Sequence, residues 1–375
     1  MVYTPNVIRK VWEGRRNSAT TKILFTVLFI LSLPYGLVVA VRNFLYDRGI
    51  IRQNKLSCPV ISVGNITTGG TGKTPMVMTL ATILKDEGFR PAILSRGYGG
   101  GKKEKINIVS NGQKILMGSR EAGDEPFLMA TKLKGIPVIN GVCRFSTGCY
   151  AIEELGANVI LLDDGFQHRA LYRNVNIVLL DSTSPLGNGR ILPCGKLREV
   201  PTALNRADII VFTGNNFDKD EISSLLDYSP VESGHIFRAF HKPLYIIRGK
   251  GEDTHSLDFL KGKKVFAFAG IGNPSSFIKS LDMLHVDLVG FLPFPDHHAY
   301  NGDELEIIRT QATRLDADLI LTTEKDGVRL LSFPDFLRDL FILHIEMNLI
   351  AGEKDFKKLI LAKLDNKTLQ TQKLI

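Results

Sequence analysis

The run Val60-Ile61-Ser62-Val63, followed by Thr67-Thr68-Gly69-Gly70-Thr71-Gly72-Lys73-Thr74, constrains this chain more than any other stretch. A strand, a glycine-hinged turn and a helix in that order aim backbone N–H groups and a helix N-terminus at one point, which is how a polypeptide cradles phosphate. From Met76 on, apolar residues at 76, 77, 80, 81, 83 and 84 mark one helical face, and Gly88 offers a stop. Pro75 falls in the first turn, where its missing N–H does no harm. The usual pattern begins with glycine where this chain has Thr67, but Gly69, Gly70 and Gly72 keep the loop flexible. An ordinary Gly-rich turn would explain the glycines, though not the agreement of strand, loop and helix. The reading is therefore a nucleoside triphosphate site built from Thr67, Thr68, Gly69, Gly70, Thr71, Gly72, Lys73 and Thr74. Lys73 would reach the outer phosphates and the Thr74 hydroxyl would ligate Mg²⁺.

Short apolar runs alternate with helical stretches beyond residue 55. Strand candidates are 60–63, 92–95, 137–140, 159–163, 177–181 and 209–213, and helical stretches lie near 74–87, 125–134, 148–155 and 218–226. A second set follows, with strands at 265–269, 286–291, 319–323 and 341–345 and helices at 275–284 and 302–315. Residues 105–116, with Asn111-Gly112, suit a hairpin decoration. The expected fold is α/β: a P-loop NTPase-type parallel-sheet lobe, a second, smaller α/β lobe and an N-terminal membrane-associated helix. The expected boundaries are 1–50 for the basic and apolar N-terminal segment, 51–230 for the P-loop domain, 231–262 for an extended connection and 263–375 for the C-terminal domain.

The N-terminal segment carries no charge from Ile23 to Val41. A helix of that length nearly crosses a bilayer core. Export would strand the phosphate loop away from ATP, so a signal peptide is disfavoured. A spanning helix concentrates basic residues on one flank. Here both flanks are basic, with Arg9, Lys10, Arg15, Arg16 and Lys22 before and Arg42, Arg48, Arg52 and Lys55 after, and Pro34 and Gly36 interrupt the run. A helix or bent helical pair lying in the cytosolic leaflet, its ends facing anionic lipids, satisfies these facts; a buried core helix is the soluble alternative. The net charge of +8 suits an anionic partner. No aromatic-basic interleaving or zinc-finger spacing points to nucleic acid, and nothing points to an obligate protein partner. Cys58, Cys143, Cys149 and Cys194 show no metal spacing and read as reduced thiols of a cytosolic compartment.

Val159 to Asp164 is an apolar strand ending in two carboxylates, Asp163 and Asp164. Strand ends line the ligand crevice of a doubly wound sheet, so these acids can hold Mg²⁺ opposite Thr74; two acids that merely end a strand are the alternative. Guanine recognition is not indicated, because Glu324 displaces the lysine expected in Thr323-Glu324-Lys325-Asp326. Thr68 stands where dimeric partner-switching ATPases carry an extra lysine. A membrane-associated switch NTPase acting on a protein partner is thereby weakened as the alternative function.

Several strings together resemble the tetraacyldisaccharide 4'-kinase family, the lipid A 4'-kinases of Gram-negative bacteria. They are the loop at 67–74, Ser95-Arg96-Gly97-Tyr98-Gly99, Gly123-Asp124-Glu125-Pro126, Leu162-Asp163-Asp164-Gly165-Phe166-Gln167-His168, Leu192-Pro193-Cys194-Gly195-Lys196-Leu197-Arg198-Glu199, Asp296-His297-His298-x-Tyr300 and Thr322-Thr323-Glu324-Lys325-Asp326. The chain departs from the family pattern at Val200-Pro201 and at Cys194. The resemblance implies ATP- and Mg²⁺-dependent phosphorylation of the 4'-hydroxyl of a tetraacylated glucosamine disaccharide 1-phosphate, a step of lipid A biosynthesis. It also implies residence at the cytoplasmic face of the inner membrane, peripheral or monotopic through the N-terminal helix. It implies an Asp–His pair, for which Asp124 is the candidate proton acceptor and His297 the partner. From the residues alone, Asp124 equally suits a helix N-cap, and His297 and His298 equally suit an exposed loop. Arg96, Gln167, His168, Arg198, Glu199 and His298 are the candidate substrate contacts; Arg198 suits a phosphate, or an ion pair within the protein.

Overall fold

The computed structural model describes residues 6–12, 14, 18–97, 100–101, 104–214, 225, 228, 231–249, 253–350 and 352–372. Two compact units share the chain. The larger comprises Val2–Ser95, Gly141–Phe240 and Leu349–Ile375; the smaller comprises Arg96–Asn140 and His241–Asn348. Each is therefore assembled from segments distant in sequence.

In the larger unit, strands Pro91–Ser95, Val159–Asp163, Val60–Gly64, Val175–Asp181 and Ile209–Thr213 lie side by side in that order, and the start of Ile236–Arg248 follows. All these pairings are parallel. The strands are buried almost throughout, as expected of a sheet covered on both faces, which is why they read as continuous apolar runs rather than alternating ones. Val60–Gly64 is central, and Val63 is in register with Asp163. The chain thus leaves two adjacent strands at the same level, once into the glycine loop and once into Asp164. Helix Lys73–Asp86 buries Met76, Val77, Leu80, Ala81 and Leu84 and ends before Gly88, whose φ is +83°. Helix Arg144–Glu153 begins before the expected 148, with Gly148 inside it. A Cβ at Gly148 would come 2.4 Å from Leu56 Cδ1, so this glycine serves close packing rather than a helix start.

Helix Ala19–Asp47 is a single element that runs through Pro34. Its 29 residues make it about 44 Å long at ~1.5 Å per residue. Ser18 and Thr21 form a capping box at its start. One stripe seats on the loop 190–199. Leu28 packs with Val11 and Cys194, the Tyr35 hydroxyl donates to the Arg198 carbonyl at 3.0 Å, and Gly36 admits Ile191 where a Cβ would clash. The rest of the helix exposes Ile23, Val27, Ile30, Leu31, Leu33, Leu37, Val38, Val41 and Phe44. By length and composition it is able to cross a membrane.

In the smaller unit, Lys264–Ala269 pairs in parallel with Asp287–Pro293 on one side and Leu319–Thr323 on the other, and Leu340–Leu349 continues the parallel order. Asn107–Ser110 turns at Asn111-Gly112, and its main antiparallel partner is Val138–Asn140. Two apolar clusters hold the unit together. One is centred on Val265, Ala267, Leu281 and Leu321, the other on Phe266, Phe268, Ile308 and Leu340. The helix expected at 218–226 lies, apart from Leu225, outside the described residues.

Candidate functional site

The larger unit presents the glycine loop at the end of its central strand. Gly69 and Gly72 have φ of +124° and +81°, backbone that only glycine adopts without strain. Gly72 is the N-cap of helix Lys73–Asp86 and offers no side-chain cap. The helix therefore starts with N–H groups available to an anion, and its dipole favours one there. Thr67 and Thr74 are buried, whereas Gly70 is exposed. The first turn of the loop is fastened to 196–198: the Thr68 N–H donates to the Lys196 carbonyl at 2.8 Å and the Arg198 N–H to the Ile66 carbonyl at 2.7 Å.

Asp163 is buried and Asp164 half-exposed. Asp164 adopts φ +52°, a conformation rare for a non-glycine residue that turns its carboxylate toward two cations. Arg198 Nη1 donates to both of its oxygens at 2.9 Å, and Lys73 Nζ lies 3.7 Å from Oδ1. Burial by itself raises the Asp164 carboxyl; the charges of Lys73 and Arg198 outweigh it and hold the group below its ordinary value. Arg144 adds to that field. It is a buried residue that the sequence reading passed over, although it opens a helix just beyond a strand.

The other candidates of this unit separate. Gln167 Nε2 donates to the Asn65 carbonyl at 2.9 Å, and its Oε1 accepts from Arg198 at 3.4 Å, so Gln167 belongs to the Asp164 cluster. His168 is half-buried, and its carbonyl accepts from Arg173. Glu199 is fully buried, with both carboxylate oxygens 2.9 Å from Arg206 Nη2 and Oε2 also accepting from Asn43 Nδ2 at 2.5 Å. In this arrangement it ties helix Ala19–Asp47 to Arg206. Arg206→Ala would remove the cation nearest that buried carboxylate and leave Asn43 as its hydrogen-bond donor. We expect a loss of about 3 kcal/mol of stability, readable as a lowered Tm.

In the smaller unit, Asp124 is the first residue of helix Asp124–Lys132, and the N-cap is Gly123. Asp124 therefore does not fill the capping position that its sequence context suggested. His297, with φ +58°, brings Nδ1 to 3.2 Å from Asp124 Oδ2. An ionised carboxylate only accepts, so Nδ1 carries the hydrogen of this bond. His298 turns elsewhere: Nε2 lies 2.9 Å from both Glu304 carboxylate oxygens, and its ring stacks on Phe294. Arg329 Nε donates to the same Asp124 oxygen at 2.6 Å. Burial raises the Asp124 carboxyl, and the His297 hydrogen bond with the Arg329 charge more than reverses this, leaving it below the ordinary carboxylate value. Arg96 is exposed, and Tyr98 and Gly99 of its motif lie outside the described residues. Sequence reasoning missed Arg329. Its only signal was its place three residues beyond the quoted Thr322–Asp326 string.

A family model described as tetraacyldisaccharide-1-P 4'-kinase matches residues 24–365. A protein named tetraacyldisaccharide 4'-kinase in Syntrophus aciditrophicus (strain SB) is 46% identical over 367 residues, covering 94% of this chain and 96% of the relative. One of the same name in Geobacter metallireducens (strain ATCC 53774 / DSM 7210 / GS-15) is 40% identical over 331 residues, 88% of this chain and 95% of the relative. Among solved structures, the crystal structure of LpxK from Aquifex aeolicus in complex with ATP superposes with a TM-score of 0.71 at 35% identity, covering 91% of this chain and 99% of that one.

Proposed function

The chain belongs to the tetraacyldisaccharide 4'-kinase family, and from that premise we propose how its own side chains carry the reaction. It is an ATP-binding phosphotransferase of lipid A biosynthesis. The transfer breaks the bond between the β,γ-bridging oxygen and the γ-phosphorus of ATP. A new bond forms from the 4'-hydroxyl oxygen of the tetraacylated disaccharide 1-phosphate to that phosphorus, and the hydroxyl gives up its proton. A kinase supplies mainly positioning and charge stabilisation for this exchange.

The observation that carries the reading is the uncapped, glycine-started helix with Lys73 as its first residue. The loop N–H groups hold the phosphates, and Lys73 neutralises charge that grows on the oxygens of the transferred group. Thr74, Asp163 and Asp164 form the hard-oxygen donor set that suits Mg²⁺. Asp164 already engages Lys73 and Arg198, so Asp163 is the better direct ligand and Asp164 the arm that holds the two cations. When bound, Mg²⁺ offsets the negative charge of the phosphate oxygens. Arg198, with Gln167 on its flank, is placed to give its guanidinium to phosphate when Asp164 releases it.

Asp124 accepts the hydroxyl proton. The bonds from His297 and Arg329 converge on Oδ2, leaving Oδ1 for the hydroxyl. His297 orients the carboxylate and stabilises it in the ionised form. The exposed apolar face of helix Ala19–Asp47 lies in the cytosolic leaflet of the inner membrane, where an acylated substrate resides.

A γ-phosphate transfer assay with the disaccharide 1-phosphate in mixed micelles tests the reaction; hydrolysis of ATP with no phosphorylated lipid would overturn it. The membrane placement has its own test. Substituting Ile30, Leu33 and Leu37 together by lysine removes three exposed apolar side chains. Partitioning to anionic phospholipid vesicles is expected to fall by at least about 100-fold, each lost burial being worth ~1.5–3 kcal/mol. Unchanged co-sedimentation would show that this face is not the anchor.

A further inference from the structure

We infer that Tyr35 of the long apolar helix is a positioning residue for Arg198, so that the element exposed to lipid is also a strut of the phosphate site. This rests on the reading of Arg198 as a phosphate contact. The backbone of Arg198 is held from both sides. Its N–H donates to the Ile66 carbonyl at 2.7 Å, just ahead of the glycine loop, and its carbonyl accepts from the Tyr35 hydroxyl at 3.0 Å. Between those two bonds the side chain leaves for the site, where Nη1 meets both Asp164 oxygens at 2.9 Å and Gln167 Oε1 at 3.4 Å. The next residue repeats the tie: Glu199 Oε2 accepts from Asn43 Nδ2 of the same helix. Burial holds the Tyr35 phenol above its ordinary value, so Tyr35 keeps its proton and remains a donor.

A further contact lies beside Tyr35. Ile191 Cδ1 occupies the space that a Cβ on Gly36 would need. Ile191 bridges Leu197, and Leu197 in turn bridges Thr67, the first residue of the glycine loop. The Thr68 N–H and hydroxyl both donate to the Lys196 carbonyl, at 2.8 and 3.3 Å. Every step from Gly36 to the loop is thus a packed side chain or a backbone pairing. Such a path transmits position, because close-packed groups have little room to yield.

The strut and the lipid-facing surface occupy opposite faces of the helix. Leu28, Ser32, Tyr35 and Asn43 recur at helical spacing on the stripe that meets 190–199, and Leu28 and Ser32 are buried. Ile30, Leu33, Leu37 and Val41 are exposed on the other side. Substitution can therefore separate the two roles. The competing explanation is that the Tyr35 hydroxyl only satisfies a half-buried carbonyl and contributes to stability. In that case its removal lowers Tm, but it leaves the turnover of the folded enzyme alone and is indifferent to the side chain at 198.

The test uses the full chain with the disaccharide 1-phosphate in mixed micelles. Tyr35→Phe, Arg198→Ala and the double variant are compared, each with a thermal melt and co-sedimentation with anionic phospholipid vesicles. Tyr35→Phe keeps the ring and loses one hydroxyl. It is expected to lower kcat about fivefold, the worth of one ordinary hydrogen bond felt wholly in the transition state. Its partitioning to the vesicles is expected to match wild type. Arg198→Ala is expected to lower kcat by about 100-fold, the effect of removing one preorganised donor. In that background Tyr35→Phe is expected to cost less than about twofold, because nothing remains for it to position. A Tyr35→Phe loss smaller than about threefold, or one of equal size in both backgrounds, would overturn the inference. So would a loss that tracks vesicle binding, since Tyr35 would then belong to the anchor. Should Tyr35→Phe melt below the assay temperature, Gly36→Leu, which presses on Ile191 from the same face, takes its place in the cycle. Near-native Arg198→Ala defeats the phosphate reading of Arg198, whereas an impaired Arg198→Ala beside an additive Tyr35→Phe defeats the role of Tyr35 alone.

Discussion

Replacing Asp124 by asparagine is expected to lower kcat by about 10³-fold, within the 10²–10⁴ that a positioned general base contributes. The amide is isosteric and its oxygen can still accept from Arg329 and His297, so the helix start and the surrounding bonds are preserved. What it cannot do is take a proton. The alternative role, an acid at a helix N-terminus, has a different size and a different readout. Losing a favourable charge–dipole interaction there is worth about 0.3–1 kcal/mol of stability and leaves the chemical step alone. A kcat measurement paired with a thermal melt therefore separates the two, and an asparagine variant that turns over like wild type eliminates the base assignment. The pH dependence follows the same logic. Because the Asp124 carboxyl is held below its ordinary value, its ionised, proton-accepting form persists as pH falls past about 4. Any stability that the Arg329 and His297 contacts confer through this carboxylate is present above the unfolded-state pKa. It is lost as pH falls through the lowered folded-state value.

Lys73→Met is the second large effect. We expect kcat to fall by about 10³-fold, comparable with or larger than the loss of one preorganised donor to a developing oxyanion, with KM for ATP raised as well. The fold should tolerate the change. Lys73 stands at the start of its helix, the methionine stem can cover the same apolar surface, and Asp164 keeps the Arg198 guanidinium on both oxygens. The measurement is γ-phosphate transfer under saturating ATP, with nucleotide binding followed separately by calorimetry. Transfer at the wild-type rate would mean that the loop holds phosphate without needing its lysine, and the proposed division of labour would be wrong.

The strand–loop–helix unit around Lys73 was legible because every signal it needs is local. The observed strand Val60–Gly64 and helix Lys73–Asp86 match the expected 60–63 and 74–87 within a residue. The same holds for 159–163 and 209–213, where a continuous apolar run is itself the evidence of a strand covered on both faces. Gly148 misled for a physical reason: a glycine placed for contact with Leu56 looks, in sequence, like a helix boundary. The burial of Glu199 was not legible, because a charged side chain in a loop rich in glycine and proline is normally exposed. Here Arg206 and Asn43 make its burial tolerable.

Chain order and periodicity by themselves determined the phosphate loop, the parallel strands that flank it and the long apolar helix, since each depends on neighbours within a few turns. Only the tertiary structure decided that His297 rather than His298 meets Asp124, and that Arg329 joins them. Those contacts link positions 173 and 205 residues apart, and a pairing made by folding leaves no periodic trace in the residues on either side of it.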